Sequence, residues 1–146
     1  MKIERRTLLI TGLAALALPH AQATPAALDK AIAAFTNGRT PRDGRVTLDI
    51  SPLVENGNAV PVSVSVQSPM STADHVQRIA IFTRENPQPE VAVFHLSPRN
   101  GRAQVATRMR LATSQPIVAL ALMNDGSVWQ QRVDVIVTLA ACIEGG

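Results

Sequence analysis

The segment Val60-Pro61-Val62-Ser63-Val64-Ser65-Val66 places an apolar residue at every second position. This period of two is typical of a β-strand that buries one face and exposes the other. Pro61 has no backbone N–H, so we expect its end of the strand to lie at a sheet edge or a bulge. The segment therefore predicts a β protein rather than a helical one.

Further short strand-like segments lie on both sides of this one, separated by turn signals such as Asn56-Gly57-Asn58 and Asn124-Asp125-Gly126-Ser127. Ile117–Met123 is apolar throughout, which predicts a central strand covered on both faces. Seven or eight short strands with turns between them indicate an antiparallel β-sandwich. The other strands that we expect are Val46–Ile50, Val76–Thr83, Val91–Leu96, Arg102–Leu111 and Val133–Leu139.

A short helix is predicted at Pro25–Phe35, ahead of the strands. Thr24 can cap it, Pro25 suits its first position, and Asn37-Gly38 supplies the stop. We expect the helix to pack on the sandwich or on a partner through one apolar stripe, formed by Leu28, Ile32 and Phe35.

The N-terminus reads as an export signal. Glu4-Arg5-Arg6-Thr7-Leu8-Leu9 is a twin-arginine pattern, and Ala21-Gln22-Ala23 offers small residues for cleavage after an apolar run too short to span a bilayer. We expect a periplasmic protein with a twin-arginine signal peptide at residues 1–23, a helix and linker at 24–44, a sandwich at 45–139 and a flexible arm at 140–146.

Cleavage removes Lys2, Arg5 and Arg6 together with Glu4, which lowers the formal charge of the 146-residue chain from +3 to +1. The mature protein would then carry no net field to attract nucleic acid or an anionic membrane. We therefore expect neither as a partner.

The last segment, Ala140-Ala141-Cys142-Ile143-Glu144-Gly145-Gly146, holds the single cysteine. Chain ends are poorly ordered unless they are docked, and glycine adds freedom. Fully extended, the seven residues would reach about 23 Å. A nucleophilic sulfur on such an arm suits a carrier that offers a covalently held cargo to other proteins, so Cys142 is the predicted attachment residue.

Two other interpretations remain open. The chain could be a non-carrying structural or interaction subunit whose cysteine is incidental or forms intermolecular disulfides. A thiol enzyme is less favoured because a mobile nucleophile cannot hold a base at hydrogen-bond distance. We expect no catalytic residue, no cofactor and no metal site, since His75 and His95 stand alone.

Arg102, Arg108 and Arg110 share a strand-like segment and form a basic face. They could be a solvated outer face or a docking patch for an acidic partner.

Several segments together resemble the SoxY family, the sulfur-carrier subunits of the periplasmic thiosulfate-oxidising Sox system. The resemblance covers nearly the whole mature chain and is carried by Glu55–Val64, Ser68-Pro69-Met70, Ile79–Phe82, Asn86–Pro89, Val91–Leu96, Arg102–Ala112 and Asp125-Gly126-Ser127.

The resemblance implies an immunoglobulin-like sandwich that pairs with a SoxZ-like subunit. It also implies that Cys142 carries sulfur intermediates, that a Sox cytochrome attaches thiosulfate, and that a hydrolase releases sulfate. The arm departs from the family's Gly-Gly-Cys-Gly-Gly pattern, because Ala140-Ala141 replaces the first glycines and Ile143-Glu144 precedes Gly145-Gly146.

Overall fold

The computed structural model describes residues 24–141, which begin with helix α1, Pro25–Thr36. The predicted caps are confirmed. The Thr24 hydroxyl accepts a 3.1 Å hydrogen bond from the Ala27 N–H, and Asn37 ends the helix in the left-handed region at a φ of 54°.

The apolar stripe of α1 packs on one face of a sheet. Phe35 is buried and meets Phe82 edge to face, with ring centroids 5.8 Å apart. Leu28 and Ile32 pack against the same cluster, so the predicted role of the stripe is confirmed. Edge-to-face aromatic pairs contribute about 1 kcal/mol beyond their buried area.

Within residues 24–141, nine strands form the rest of the fold, and most neighbours run antiparallel. The bounds are β1 Arg42–Asp43, β2 Val46–Asp49, β3 Leu53–Asn56, β4 Val60–Val66, β5 Val76–Thr83, β6 Glu90–His95, β7 Gln104–Met109, β8 Gln115–Met123 and β9 Val128–Leu139. The larger sheet has the order β1-β9-β8-β5-β6, with β3 also paired to β9, and the smaller sheet has the order β2-β4-β7.

The central strand predicted at 117–123 is confirmed, because β8 lies between β5 and β9. Alternate residues of β5 face two different apolar layers. Ile79 and Ile81 face the core between the sheets, whereas Ala80 and Phe82 face the layer under α1. β8 is covered in the same way, since Ile117 and Ala119 face the core between the sheets and Leu120 faces the layer under α1. A segment covered on both faces must be apolar throughout, which explains the unbroken apolar composition of residues 117–123.

The alternation in β4 is also confirmed, since its four valines are buried and its serines are half-buried. Pro61 lies where β4 has a single neighbour: β2 pairs with β4 only from Ser63 onward, while β7 pairs opposite Pro61. The missing N–H therefore breaks no ladder with β2. The predicted all-β sandwich with a short N-terminal helix is what the structure shows.

Two short strands were not predicted. β1 and β3 both pair parallel to β9, and β1 comes from the segment assigned to the linker. Neither has a readable alternation, because β1 has two residues, both exposed, and β3 buries only Val54. Helices within residues 24–141 lack the length and the apolar composition of a membrane-spanning segment.

Candidate functional site

The predicted arm lies partly within the described chain. Ala140 is exposed and Ala141 is buried, with 7% of its surface accessible. The predicted attachment residue Cys142 and the rest of the arm, residues 143–146, lie outside the described residues. Their assignment stays a prediction. The structure does describe the root of the arm, the segment that ends at Ala141.

Backbone hydrogen bonds tie three segments together at this root. The Gly57 N–H donates to the Leu139 carbonyl at 2.8 Å, and the Leu111 N–H donates to the Gly57 carbonyl at 2.8 Å. The Ala141 N–H then donates to the Leu111 carbonyl at 3.0 Å. The chain is therefore anchored as far as Ala141, two residues beyond the end of β9.

Gly57 makes this close approach possible. It is buried, and a Cβ at this position would lie 2.5 Å from the Leu111 carbonyl oxygen and 3.0 Å from the Ala141 nitrogen. Both neighbours are backbone atoms that cannot rotate away. The sequence identified Gly57 only as part of a turn, which its neighbours do form: the Asn56 side chain accepts a 2.9 Å bond from the Asn58 N–H.

The last part of β9 forms a two-stranded ribbon with β3. The β8 ladder ends where Gln115 pairs with Val135, and β3 then pairs with β9 from Leu53 opposite Ile136 to Asn56 opposite Leu139. The Ser114 hydroxyl accepts a 2.8 Å bond from the Val137 N–H on the side that β8 has vacated. The ribbon thus carries the arm past the end of the central strand.

This ribbon exposes large apolar side chains. Leu53 is 57% exposed, Ile136 is 59% exposed and Leu139 is 61% exposed. No other large hydrophobic residue within 24–141 is exposed to this extent. An apolar group of this kind on a soluble protein often marks a contact surface.

A groove of about 520 Å³ runs beside the ribbon, between β3 and the open end of β4. Leu53 and Val54 of β3 and Pro61 of β4 are among the residues that line it. Its ionisable lining residues are Asp49, Glu55 and Arg108, all exposed. Two carboxylates against one guanidinium make the groove a poor site for a small anion.

The predicted basic face lies on and beside β7. Arg102, Arg108 and Arg110 are exposed, and none forms an ion pair with another residue of the described chain. This arrangement is compatible with both interpretations of the face, and its docking role stays a prediction.

The remaining chemistry of the described chain is sparse. His95 ends β6 and is exposed rather than part of the core, and His75 hydrogen-bonds the Ser71 carbonyl at 2.9 Å. Within residues 24–141, no three histidine, cysteine or acidic side chains come together as a metal site would require. Hydrogen bonds from Ser127 hold the pKa of Asp125 below its ordinary value, but this turn lies at the opposite end of β9 from Leu139.

Comparison with known proteins now gives the family. The model of the family described as sulfur oxidation protein SoxY matches residues 32–142. No curated protein sequence matches the chain. Among solved structures, the sulfur carrier protein SoxY from Chlorobium limicola f thiosulfatophilum matches with 31% identity and a TM-score of 0.65, over 80% of this chain and 100% of that one.

More distant matches show the fold alone. A superoxide reductase (neelaredoxin) from Ignicoccus hospitalis matches with 19% identity and a TM-score of 0.57, over 64% of this chain and 80% of that one. A superoxide reductase from Nanoarchaeum equitans matches with 9% identity and a TM-score of 0.56, over 66% of this chain and all of that one. By the extent of the family match and by its resemblance to a solved SoxY, this chain belongs to the SoxY family of sulfur oxidation proteins.

Proposed function

We propose that this protein is a sulfur carrier of the periplasmic Sox system and that it holds thiosulfate-derived intermediates covalently on Cys142. Family membership and the match to a sulfur carrier protein support the carrier role. One observation carries the proposal furthest. The family match runs to Cys142, the residue that directly follows the anchored Ala141 at the end of the sandwich.

The chemistry requires only an accessible thiolate. In the loading step, the Cys142 thiolate and thiosulfate join through a new S–S bond, and two electrons pass to a haem oxidant of the c type. Hydrolysis of the terminal S–S bond then releases sulfate and two protons, and a persulfide stays on Cys142. Both reactions take place in partner enzymes, so the chain acts as a carrier and supplies no catalytic group of its own.

The scaffold contributes position. Hydrogen bonds from the N–H groups of Gly57, Leu111 and Ala141 hold the chain to the sandwich as far as Ala141, the residue that precedes Cys142. The SoxZ-like partner of a heterodimer and the twin-arginine export route belong to the same proposal. They are supported by the family and by the Arg5-Arg6 pattern of the N-terminus.

Mass spectrometry tests the proposal. The purified protein is incubated with thiosulfate and the thiosulfate-coupling haem enzyme of the same organism, and the C-terminal peptide is analysed with and without reductant. We expect the mass of one thiosulfate group on the peptide, removed by reductant and absent from Cys142→Ser. An unmodified wild-type peptide, with normal thiosulfate oxidation in cells that carry Cys142→Ser, would instead support a non-carrying subunit.

A further inference from the structure

The anchoring of Ala141 limits where the sulfur can go. Consecutive Cα atoms lie 3.8 Å apart, so the Cys142 sulfur lies within about 7 Å of the Ala141 Cα. The 23 Å reach expected from the sequence requires Ala140 and Ala141 to be free. While the Ala141 N–H is bonded to Leu111, an enzyme that acts on the sulfur must come to the root of the arm.

The surface that such an enzyme would meet is apolar. Leu53 and Ile136 are paired across the parallel β3–β9 ladder, so their side chains lie side by side on the same face of the ribbon. Leu139 is three residues further along β9 and lies on the other face, because side chains alternate along a strand. Apolar groups therefore lie on both faces of the ribbon that ends at the arm.

We propose that Leu53, Ile136 and Leu139 form a docking surface for the enzyme that modifies Cys142, and that this enzyme carries an apolar rim around its active-site entrance. The inference rests on the proposed carrier function. It adds the place of contact and the kind of partner that fits it.

The size of the surface favours a transient enzyme over a permanent subunit. Three side chains, each a little over half exposed, supply a few hundred Å² at most, whereas a stable complex buries about 800 Å² on each partner. A permanent subunit seated here would also cover the root, which directly precedes Cys142, and would keep enzymes away from that residue.

The segment of residues 142–146 is a poor occupant of the same surface, because Ile143 is its one large apolar side chain. A single isoleucine cannot cover three side chains that lie on two faces of a ribbon. The charged residues Arg132 and Asp134, which lie on the same face as Ile136, pair with each other at 3.0 Å.

The test compares a triple variant, Leu53→Thr, Ile136→Thr and Leu139→Thr, with the wild type as substrates of the purified thiosulfate-coupling haem enzyme. Threonine keeps the strand preference but removes most of the apolar surface. We expect kcat/KM to fall about tenfold or more through a higher KM, because the substitutions remove a hot spot for binding of the enzyme. Reaction of Cys142 with a small aromatic disulfide should keep its wild-type rate, because that reagent needs no docking.

Gln104→Thr is the matched control, since Gln104 is an exposed strand residue on the smaller sheet. Its kcat/KM should equal that of the wild type. An unchanged kcat/KM in the triple variant would overturn the proposed docking surface. Dissociation of a wild-type oligomer on the triple substitution would also overturn it, because the surface would then be a permanent interface. The absence of any thiosulfate adduct on the wild-type C-terminal peptide would instead overturn the carrier function itself. Mass spectrometry measures this adduct independently of kcat/KM.

Discussion

At the scale of single residues, Gly57 determines whether the arm can be anchored. We expect Gly57→Ala to lower the free energy of unfolding by about 1 to 3 kcal/mol, because its Cβ would lie 2.5 Å from a backbone oxygen. The same substitution should detach Ala141, since the Ala141 nitrogen is the next atom that the Cβ meets. Chemical denaturation measures the first effect, and proteolytic cleavage between residues 139 and 142 measures the second.

Gly101→Ala separates steric crowding from a loss of glycine in general. Gly101 has open space around its Cα and a φ of 70°, so its substitution strains only the backbone and costs about 1 kcal/mol. Cleavage near residue 141 should stay at the wild-type rate. Equal cleavage of wild type and Gly57→Ala would show that Gly57 does not control the anchor.

A second residue-scale prediction concerns Glu144, two positions from the proposed sulfur attachment site. Its carboxylate repels the thiosulfate dianion, and two such groups about 8 Å apart in water interact by roughly 1 kcal/mol before salt screening. We expect Glu144→Gln to be loaded about two- to threefold faster at low ionic strength. The gain should vanish at high salt, where the Debye length falls to about 3 Å.

Glu90→Gln is the control for net charge alone. Glu90 is an exposed residue at the start of β6, and its substitution removes the same formal charge. Its loading rate should match that of the wild type in stopped-flow measurements. A salt-independent gain in Glu144→Gln would contradict the electrostatic account.

Single residues also show what the sequence could reveal about the site. Cys142 could be proposed as the attachment residue because it is the one cysteine of the sequence and follows the last predicted strand, and its role stays a prediction. Gly57 could not be, because its requirement comes from the carbonyl of Leu111 and the nitrogen of Ala141, which the fold brings from distant positions. Nothing in Asn56-Gly57-Asn58 distinguishes a turn glycine from one that other backbone must approach.

At the scale of secondary-structure elements, the strands with strong patterns were predictable and the short ones were not. β4 and β8 each have seven or more residues, and their composition reports burial on one face or on two. β3 has four residues and owes its place to pairing with β9, a contact that depends on the rest of the sandwich. The hydrophobic periodicity of the sequence therefore could not predict the β3–β9 ribbon, which carries the exposed apolar side chains.

The turn between β8 and β9 gives a pH-dependent prediction. The Asp125 carboxylate accepts bonds from the Ser127 N–H at 2.8 Å and the Ser127 hydroxyl at 2.6 Å, which lower its pKa. A carboxyl with a lowered folded pKa adds stability above its unfolded pKa, and that stability is lost as the pH falls through the folded value. Asp125→Asn should therefore lower Tm at neutral pH by about 1 to 4 °C, as is typical for an exposed charged group.

The difference in Tm between wild type and Asp125→Asn should begin to shrink as the pH falls below the ordinary aspartate pKa of about 4, where the unfolded carboxyl is protonated. It should vanish below the lowered folded pKa, because the Asp125 side chain is then neutral in both states. Calorimetry at a series of pH values follows this convergence. Asp43→Asn serves as the comparison, since Asp43 is exposed and accepts a 3.1 Å bond from Gln130. A constant difference across the series would contradict a role for the Asp125 charge.

At the scale of the whole molecule, the two apolar layers differ in how close they lie to the anchored Ala141. The layer under α1 contains Phe35, Phe82 and Leu120, whereas Val54 and Leu111 near the arm belong to the core between the sheets. We expect a change in the first layer to lower the free energy of unfolding without detaching Ala141. A change at Gly57 should lower the free energy of unfolding and also detach Ala141.

Phe35→Ala tests this division. The side chain is 4% exposed and packs edge to face on Phe82, so its truncation should lower the free energy of unfolding by about 3 kcal/mol. In conditions where the variant is still folded, cleavage near residue 141 and the rate of thiosulfate loading should both equal the wild-type values. Gly57→Ala is the matched contrast, since it should alter cleavage at a smaller cost in stability. Equal effects of Phe35→Ala and Gly57→Ala on the loading rate would show that loading depends on the stability of the whole sandwich. The hydrogen bond between Ala141 and Leu111 would then not control the loading of Cys142.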